Sequence, residues 1–567
     1  MIYENSGLRK KFRVFFMEEL RAKDRKAGGG WTKLKAGLDA CVEPVRSEVG
    51  AFLILLVALV CGAECYNYAF YDGIGKASLI TLVQMPFFVA VSYVFAVLSY
   101  FVRSWGRWAR VLPDVLLAFY VVLTIAECYL CLFMESGITP SMLTFLLQTN
   151  PGETMGFFQA FVVNKWFFMF AVAVMMMSAA VWVVVFLTSD YLRSSRIFGY
   201  CVFGIFLLSA GLLLLVPYPS TAVSRTVGSV FKFGKAAEAQ RYVSQDTGII
   251  GIDIESPVVL VVIGEAFSKH HSSLYGYEKQ TNPMLQAYVD AGNLFIFRDV
   301  MSPYNKTHLM IRTLLSMHSV DSPNPWEDYP IWCQIFKEAG YHVSFVSNQG
   351  MEVPRQCFDY CNSRSQGYDE ELLKELVIID SLADGRNNLA VLQLKGQHIY
   401  ATNNFPHEGF TYFYPADYDS SPVDLDARQV QELADYDNAT RYNDYVVAHM
   451  MDYFSDRESI VVYLSDHGEE VYDYRPFLGR THKEVPTQLE IKYQYEIPFM
   501  IYMSDIYKSR HPDVVRRVEG ATGRRFMSDD LPHLLLGVSG IETVWYDSSR
   551  DLLSPDFNVD RKRVFGY

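Results

Sequence analysis

The chain has 567 residues, of which 50% are hydrophobic and 15% aromatic, and its formal net charge is -13. That length has room for more than one domain. The acidic balance, with no basic patch interleaved with aromatics, argues against nucleic acid as a partner. The apolar residues gather before residue 220, and beyond it the sequence reads as a mixed globular chain.

Residues 1–48 form a mostly polar N-terminal tail carrying Arg9, Lys10, Lys11, Arg13, Arg21, Lys23, Arg25 and Lys26. Five apolar segments follow, near 49–70, 78–102, 111–134, 166–188 and 197–217, each close to the roughly 20 residues that a bilayer crossing needs. They predict a five-helix membrane domain over 49–217. The polar tail ahead of the first segment argues against a cleavable signal peptide. Positive charge sits in alternate connections: Arg103, Arg107 and Arg110 after the second segment, Arg193 and Arg196 after the fourth. The connections 71–77 and 135–165 carry only Lys76 and Lys165. By the positive-inside rule the N-terminus is cytoplasmic, and an odd number of crossings puts everything past 218 outside.

Two carboxylates fall inside these segments, each in an Ala-Glu-Cys-Tyr tetrapeptide: Glu64 and Glu127. An intramembrane carboxylate is a functional candidate; the plainer reading is a group solvated at the outer interface. The loop 135–165 is long and amphipathic, suited either to lying in the interface or to serving as a connector.

Residues 218–256 read as a linker or bridging helix. From 257 the pattern changes. Val258–Ile263 is a short continuous apolar run, the mark of a strand buried on both faces. Similar runs recur at 342–347, 389–394, 459–464 and 498–502, with helical stretches such as 332–339 and 428–454 between them. This alternation predicts an α/β domain over 257–567 with a mainly parallel sheet. Ligands of such sheets bind beyond the carboxyl ends of the strands.

Chemistry gathers at those ends. The first strand runs into Gly264-Glu265, the third into Lys395-Gly-Gln-His398, and the fourth into Ser465-Asp466-His467-Gly468-Glu469. Glu, Asp and His are the donors expected around zinc or a related divalent ion. Each alone reads equally as a cap or a surface residue; together at strand ends they point to a metal. A metal also activates hydroxyl nucleophiles. Thr307 stands at the start of an apolar-periodic helix ending near Ser316, where free N–H groups favour a phosphate. Its alternative reading is a simple helix cap.

With these residues in place the sequence resembles the phosphoethanolamine transferases of Gram-negative envelopes, in the alkaline phosphatase and sulfatase superfamily. The resemblance rests on Gly-Glu265, Leu274-Tyr-Gly-Tyr277, Thr307 ahead of a helix, and Ser-Asp466-His467-Gly-Glu, and it covers nearly the whole chain. It implies a bacterial inner-membrane enzyme with a periplasmic catalytic domain and one or two zinc ions. Glu265, Thr307, Asp466 and His467 would form the zinc shell, with Thr307 the nucleophile. His398 and His482 would contact the phosphate or a second zinc. Thr149 and Glu153 would meet the lipid head group, and Cys357 and Cys361 match a disulfide position. Phosphatidylethanolamine would be the donor and a lipopolysaccharide, at its core sugar or lipid A, the acceptor. The segment Pro303-Tyr-Asn-Lys-Thr307 lacks the cysteine found in many lipid A members, and His398-Ile-Tyr lacks their His-Gly-Pro. Both features look more like the branch acting on the core. Two other readings stand beside this one: a glycerophosphate transferase of the lipoteichoic-acid-synthase type using phosphatidylglycerol, and a non-catalytic membrane-anchored sensor module.

Overall fold

The computed structural model describes residues 30–70, 74–106, 109–134, 137–138, 165–212, 221–228, 230, 245–254, 256–349, 353–363, 367–398, 401–418, 423–481 and 486–566. Thr149, Glu153, His482 and nearly all of the loop 135–165 lie outside these residues. The chain forms two compact units, Met1–Ala236 and Ala237–Tyr567.

The first unit is helical. Its helices are α1 (Gly30–Ser47), α2 (Val49–Phe70), α3 (Ile74–Arg103), α4 (Leu112–Met134), α5 (Lys165–Ser194) and α6 (Arg196–Leu212). Among the described residues, four candidate spans lie in helices α2 to α5: Val49–Ala69, Ile74–Arg103, Leu112–Phe133 and Phe167–Ser194. The expected fifth is shorter. Helix α6 has 17 residues, about 25 Å at 1.5 Å per residue, against a hydrocarbon core of about 30 Å. The last residues expected in that segment, 213–217, are not among those described. The stretch read as a polar tail ends in α1, whose Val42 and Val45 are fully buried. Tyr93 of α3 donates to the Cys41 carbonyl (2.8 Å), and Arg46 donates to the Arg193 carbonyl (2.9 Å).

The two membrane carboxylates part ways. Glu64 accepts a hydrogen bond from Ser78 (2.6 Å). Glu127 is fully buried and takes both arms of Arg225, Nε to Oε1 at 2.7 Å and Nη2 to Oε2 at 2.6 Å. The guanidinium also stacks 3.9 Å above the Tyr66 ring. Arg225 comes from the stretch read as linker, so that stretch anchors a buried charge.

The second unit is built on a seven-stranded sheet. Its strands are β1 (Ile249–Ile252), β2 (Val258–Gly264), β3 (Leu294–Phe297), β4 (Asp299–Met301), β5 (His342–Ser347), β6 (Tyr360–Ser363), β7 (Asn388–Gln393), β8 (Ser459–Ser465), β9 (Glu470–Val471), β10 (Leu478–Gly479), β11 (Phe499–Met503), β12 (Arg525–Met527) and β13 (Ile541–Thr543). The large sheet has the order β3-β11-β8-β2-β7-β5-β6. Strand β1, inside the stretch expected to be linker, pairs with β13.

The sheet is mixed, with four of its six strand pairings parallel. β8, β2, β7, β5 and β6 run parallel, but β11 is antiparallel to both β8 and β3. The reason is local. The chain leaves β8 at its carboxyl end and re-enters the sheet beside it at the same edge, with Phe499 opposite Leu464. No crossover returns the chain to the other edge, which a parallel partner would need.

Both faces of the sheet are covered. Val259, Val261 and Ile263 of β2 pack into a core with α7 (Thr307–Leu315) and α8 (Trp332–Glu338). The alternate residues Leu260 and Val262 pack with α9 (Glu371–Ala383) and α10 (Ala427–Tyr453). This two-sided burial is what the continuous apolar runs encode. Cys357 and Cys361 are free thiols, so the expected disulfide is not formed. The buried Cys357 has its Sγ 3.8 Å from Gln334 Oε1, while Cys361 lies in β6 opposite Phe345.

One charged cluster ties α10 to the segments that leave β2 and β8. His271 is buried between two acids, with Nδ1 2.8 Å from Asp437 and Nε2 3.6 Å from Asp473. Tyr277 donates to the other Asp437 oxygen at 2.7 Å and Tyr418 at 2.5 Å. Burial opposes the imidazolium, but the two carboxylates outweigh it and lift the His271 pKa to about 10.

Two predictions follow from these charges. Glu127→Ala leaves Arg225 buried and uncompensated and should cost roughly 3–5 kcal/mol; replacing both partners with apolar residues of similar volume should restore most of it. Unfolding of the full chain in detergent measures both. For His271 the folded pKa lies above the ordinary 6.5. Its contribution is therefore complete below pH ~6.5 and is lost as pH rises toward about 10. The stability difference between the protein and a His271→Asn variant, read from denaturant titrations, should shrink steadily across that window.

Candidate active site

The carboxyl edge of the sheet places four predicted residues together. Glu265 follows β2, Asp466 and His467 follow β8, and Thr307 opens α7. Lys306 is the N-cap and its side chain makes no capping bond. Thr307 is thus the first helical residue, and its hydroxyl faces the strand ends instead of capping the helix. Thr307 Oγ1 lies 3.1 Å from each Glu265 oxygen and 3.1 Å from His467 Nε2.

Each group is aimed by its neighbours. Asp466 Oδ1 accepts from the Ala266 N–H (3.1 Å) and the His467 N–H (2.7 Å). His467 Nδ1 is 2.9 Å from the Gly468 carbonyl. That contact fixes Nδ1 as the protonated nitrogen and turns the Nε2 lone pair toward Thr307 and the two carboxylates. Nε2 is 3.3 Å from Glu265 and 3.1 Å from Asp466 Oδ2. Gln349, beyond the end of β5, donates from Nε2 to Glu265 Oε2 (2.9 Å) and to the Leu394 carbonyl (2.6 Å). Ala266 holds a φ of 53°, the left-handed conformation that non-glycine residues seldom adopt, and such strain clusters at functional sites.

Close backbone approach accounts for two glycines. A Cβ at Gly396 would stand 2.8 Å from the Glu265 carbonyl, and one at Gly468 would stand 2.5 Å from the Tyr493 carbonyl. Asp369, buried beneath this edge, accepts from the N–H groups of Lys395 (2.8 Å) and Gly396 (2.9 Å). It thereby seats the turn that leads to His398. His398 stands near enough to act electrostatically on Glu265. It is not among the donors that converge most closely.

Those donors are Glu265, Asp466 and His467, all buried, each offering an atom within 4.8 Å of the others. The arrangement fits a divalent cation on its own terms. Asp466 Oδ2 is buried without a hydrogen-bond partner, an orphan that a cation would satisfy. Like-charge proximity acts in the same direction. Burial and the Glu265 charge push the Asp466 carboxyl well above the usual range. Burial also works against Glu265, but His467, His398 and Arg480 hold it below its ordinary value. Burial and Arg480 lower His467 to about 4, leaving a neutral imidazole. A Glu, Asp, His and Thr set suits zinc or a metal of similar character.

Sequence reasoning missed several residues here. Glu469 is buried, which raises its pKa to about 7 against the pull of Arg480. Arg480 follows β10, its Nε 2.9 Å from Glu469 Oε2. It donates from Nη1 to the Asn305 carbonyl at 3.0 Å and also touches His467 Nε2. Lys306, beside Thr307, is pushed down to about 8 by burial and by Arg480. Glu469 lies inside the Asp-His-Gly-Glu segment, and Gln349 obeys the strand-end rule. Arg480 carries no motif signal at all.

Comparison with known proteins places this geometry. The sulfatase family model matches residues 257–541. Phosphoethanolamine transferase EptC of Escherichia coli strain RS218 is 28% identical over 323 residues, covering 53% of this chain and 54% of that protein. The chain thus spans about half the length of such curated relatives. Phosphoethanolamine transferase EptA of Salmonella typhimurium is 24% identical over 573 residues, covering 90% of this chain and 97% of the relative. Among solved structures, the integral membrane lipooligosaccharide phosphoethanolamine transferase A of Neisseria meningitidis superposes with a TM-score of 0.62 at 18% identity. That match covers 88% of this chain and 97% of the other, and the likeness is one of fold. The match of the family model over half the chain, on the segment that holds Glu265, Thr307, Asp466 and His467, makes this chain a member of the sulfatase family.

Proposed function

We propose that the chain is a membrane-anchored, metal-dependent transferase. It moves phosphoethanolamine from phosphatidylethanolamine to a lipopolysaccharide-type acceptor, a core sugar or lipid A, through a covalent ester on Thr307. The observation that carries this reading is the Thr307 hydroxyl, 3.1 Å from Glu265 and from His467 Nε2 at the head of a helix. The names of the relatives support the choice of phosphoethanolamine over glycerophosphate.

Glu265, Asp466, His467 and Thr307 Oγ1 would hold zinc, which supplies Lewis acidity for ionising the hydroxyl and polarising the phosphoryl group. The chain's own residues do the rest. Glu265 accepts the Thr307 hydrogen bond and aims the oxygen away from the helix. In the first half-reaction Thr307 Oγ1 bonds to phosphorus and the bond to the glycerol oxygen breaks. The Thr307 proton ends on departing diacylglycerol, and the ester retains the phosphodiester charge. In the second, an acceptor oxygen attacks the same phosphorus and Thr307 regains its proton. The N–H groups opening α7 and the cations Lys306 and Arg480 favour an anion at this spot. His398 and His482 take part in phosphoryl contact, and Thr149 and Glu153 meet the donor head group.

The same reading sets the topology. Residues 1–48 are cytoplasmic, α6 completes a fifth crossing of the inner membrane within 49–217, 218–256 connects, and 257–567 is periplasmic. Anchoring to the bilayer holds a lipid donor at high effective concentration.

Thr307→Ala should bind zinc, form no ester detectable by intact-protein mass spectrometry, and release no diacylglycerol from phosphatidylethanolamine. Turnover at the parental rate would refute the nucleophile. Gln349→Leu removes the donor that orients Glu265 and should weaken zinc binding about ten- to hundredfold, measured by chelator competition.

A further inference from the structure

Arg480 is held too firmly, and in too particular a place, to be a surface cation. Its side chain is 19% exposed, and its Nε is 2.9 Å from the nearly fully buried Glu469. Nη1 donates to the main-chain carbonyl of Asn305 (3.0 Å), two residues before the nucleophile. The same nitrogen touches His467 Nε2, itself 3.1 Å from Thr307 Oγ1. The guanidinium therefore lies two short contacts from the reacting oxygen, held by the Asn305 carbonyl and paired with the Glu469 carboxylate. Asn305 is pinned through its side chain to the Thr481 carbonyl (2.9 Å) and to Gln494 (3.1 Å). The carbonyl that holds Arg480 thus does not drift.

The donor inventory is informative. A guanidinium has five N–H donors in a rigid fork and cannot be deprotonated in a protein. Nη1 donates to the Asn305 carbonyl, and Nε lies 2.9 Å from Glu469 Oε2 as an ion pair, an oxygen with no hydrogen-bond partner among the described residues. Among the described residues the Nη2 amino group makes no hydrogen bond to the protein. A structural ion pair would be complete with Glu469 alone. What remains is a planar, permanently charged donor edge two short contacts from the Thr307 hydroxyl. That edge suits the non-bridging oxygens of a phosphodiester, which guanidinium binds with directed, charge-assisted bonds.

We propose that Arg480 binds a non-bridging phosphoryl oxygen of the donor phosphodiester and keeps that contact through the Thr307 ester. This deepens the transferase reading above and rests on it. As Oγ1 bonds to phosphorus and the bond to the glycerol oxygen breaks, negative charge spreads onto the non-bridging oxygens. Arg480 meets that charge from a position already fixed by Glu469 and Asn305, so nothing reorganises during the reaction. The two anchors are part of the device: Glu469 and Asn305 act through Arg480 as positioning residues.

The test uses the full-length, zinc-loaded protein in detergent, with Arg480→Ala, Arg480→Lys and Thr307→Ala. Zinc content and zinc affinity are measured first and should match the parent in both Arg480 variants. Loss of zinc from Arg480→Ala would overturn the proposal in favour of a structural role beneath His467. Diacylglycerol release from phosphatidylethanolamine should fall roughly 100- to 1,000-fold in kcat for Arg480→Ala. Arg480→Lys, which keeps the charge without the fork, should recover part of it. Inorganic phosphate binding by calorimetry gives a second readout that needs no turnover. It should be weakened at least tenfold in Arg480→Ala and retained in Thr307→Ala. Parental phosphate affinity in Arg480→Ala overturns the proposal. If the parental protein releases no diacylglycerol, the transferase reading fails, and the phosphate titration still decides the role of Arg480.

Discussion

The second unit is organised around a costly act, the burial of Glu265 and Asp466 side by side at the carboxyl edge of the sheet. Both are fully buried, and like charges so placed repel while each loses its hydration. Nearly every feature of that edge answers this cost. Two main-chain N–H groups occupy one oxygen of Asp466, and Gln349 engages one oxygen of Glu265. Arg480 brings a permanent positive charge against His467. Gly396 and Gly468 let neighbouring backbone close over the pair, and the strained Ala266 turns its N–H onto Asp466. Among the described residues this leaves one Asp466 oxygen without a hydrogen-bond partner, beside the His467 imidazole and the Thr307 hydroxyl.

Much of this was legible in the sequence because strand ends are local features. A buried strand is a continuous apolar run, and the residues that follow it must emerge at one edge. Glu265, Asp466 and His467 follow from that rule and Thr307 from its place at a helix start, and the structure brings the four together. Arg480 was not legible, because its place depends on how the chain returns from β8 to the sheet. The same return decides the direction of β11; an apolar run carries no sign of whether its strand runs up or down. Thr307 illustrates the limit from the other side. Sequence placed it at a helix start, but only the packing of α7 against the strand ends distinguishes a cap from a hydroxyl aimed at Glu265.

The helical unit repeats the problem of buried charge with the opposite solution. Hydropathy located Glu127 inside an apolar segment but could not name its partner, because Arg225 lies 98 residues away in a stretch that reads as linker. There a tyrosine ring covers the cation, and each carboxylate oxygen of Glu127 meets a guanidinium nitrogen of Arg225. At the sheet edge, among the described residues, Asp466 Oδ2 and Glu469 Oε2 have no hydrogen-bond partner and Arg480 Nη2 makes no hydrogen bond to the protein. Burial alone does not separate a structural charge from a chemical one, since both sites are deeply buried. The difference lies in the donors and acceptors left over once the protein's own groups are counted. By that measure Glu127 and Arg225 satisfy one another, while the residues around Thr307 keep the unfilled positions that the proposed cation and phosphoryl group require.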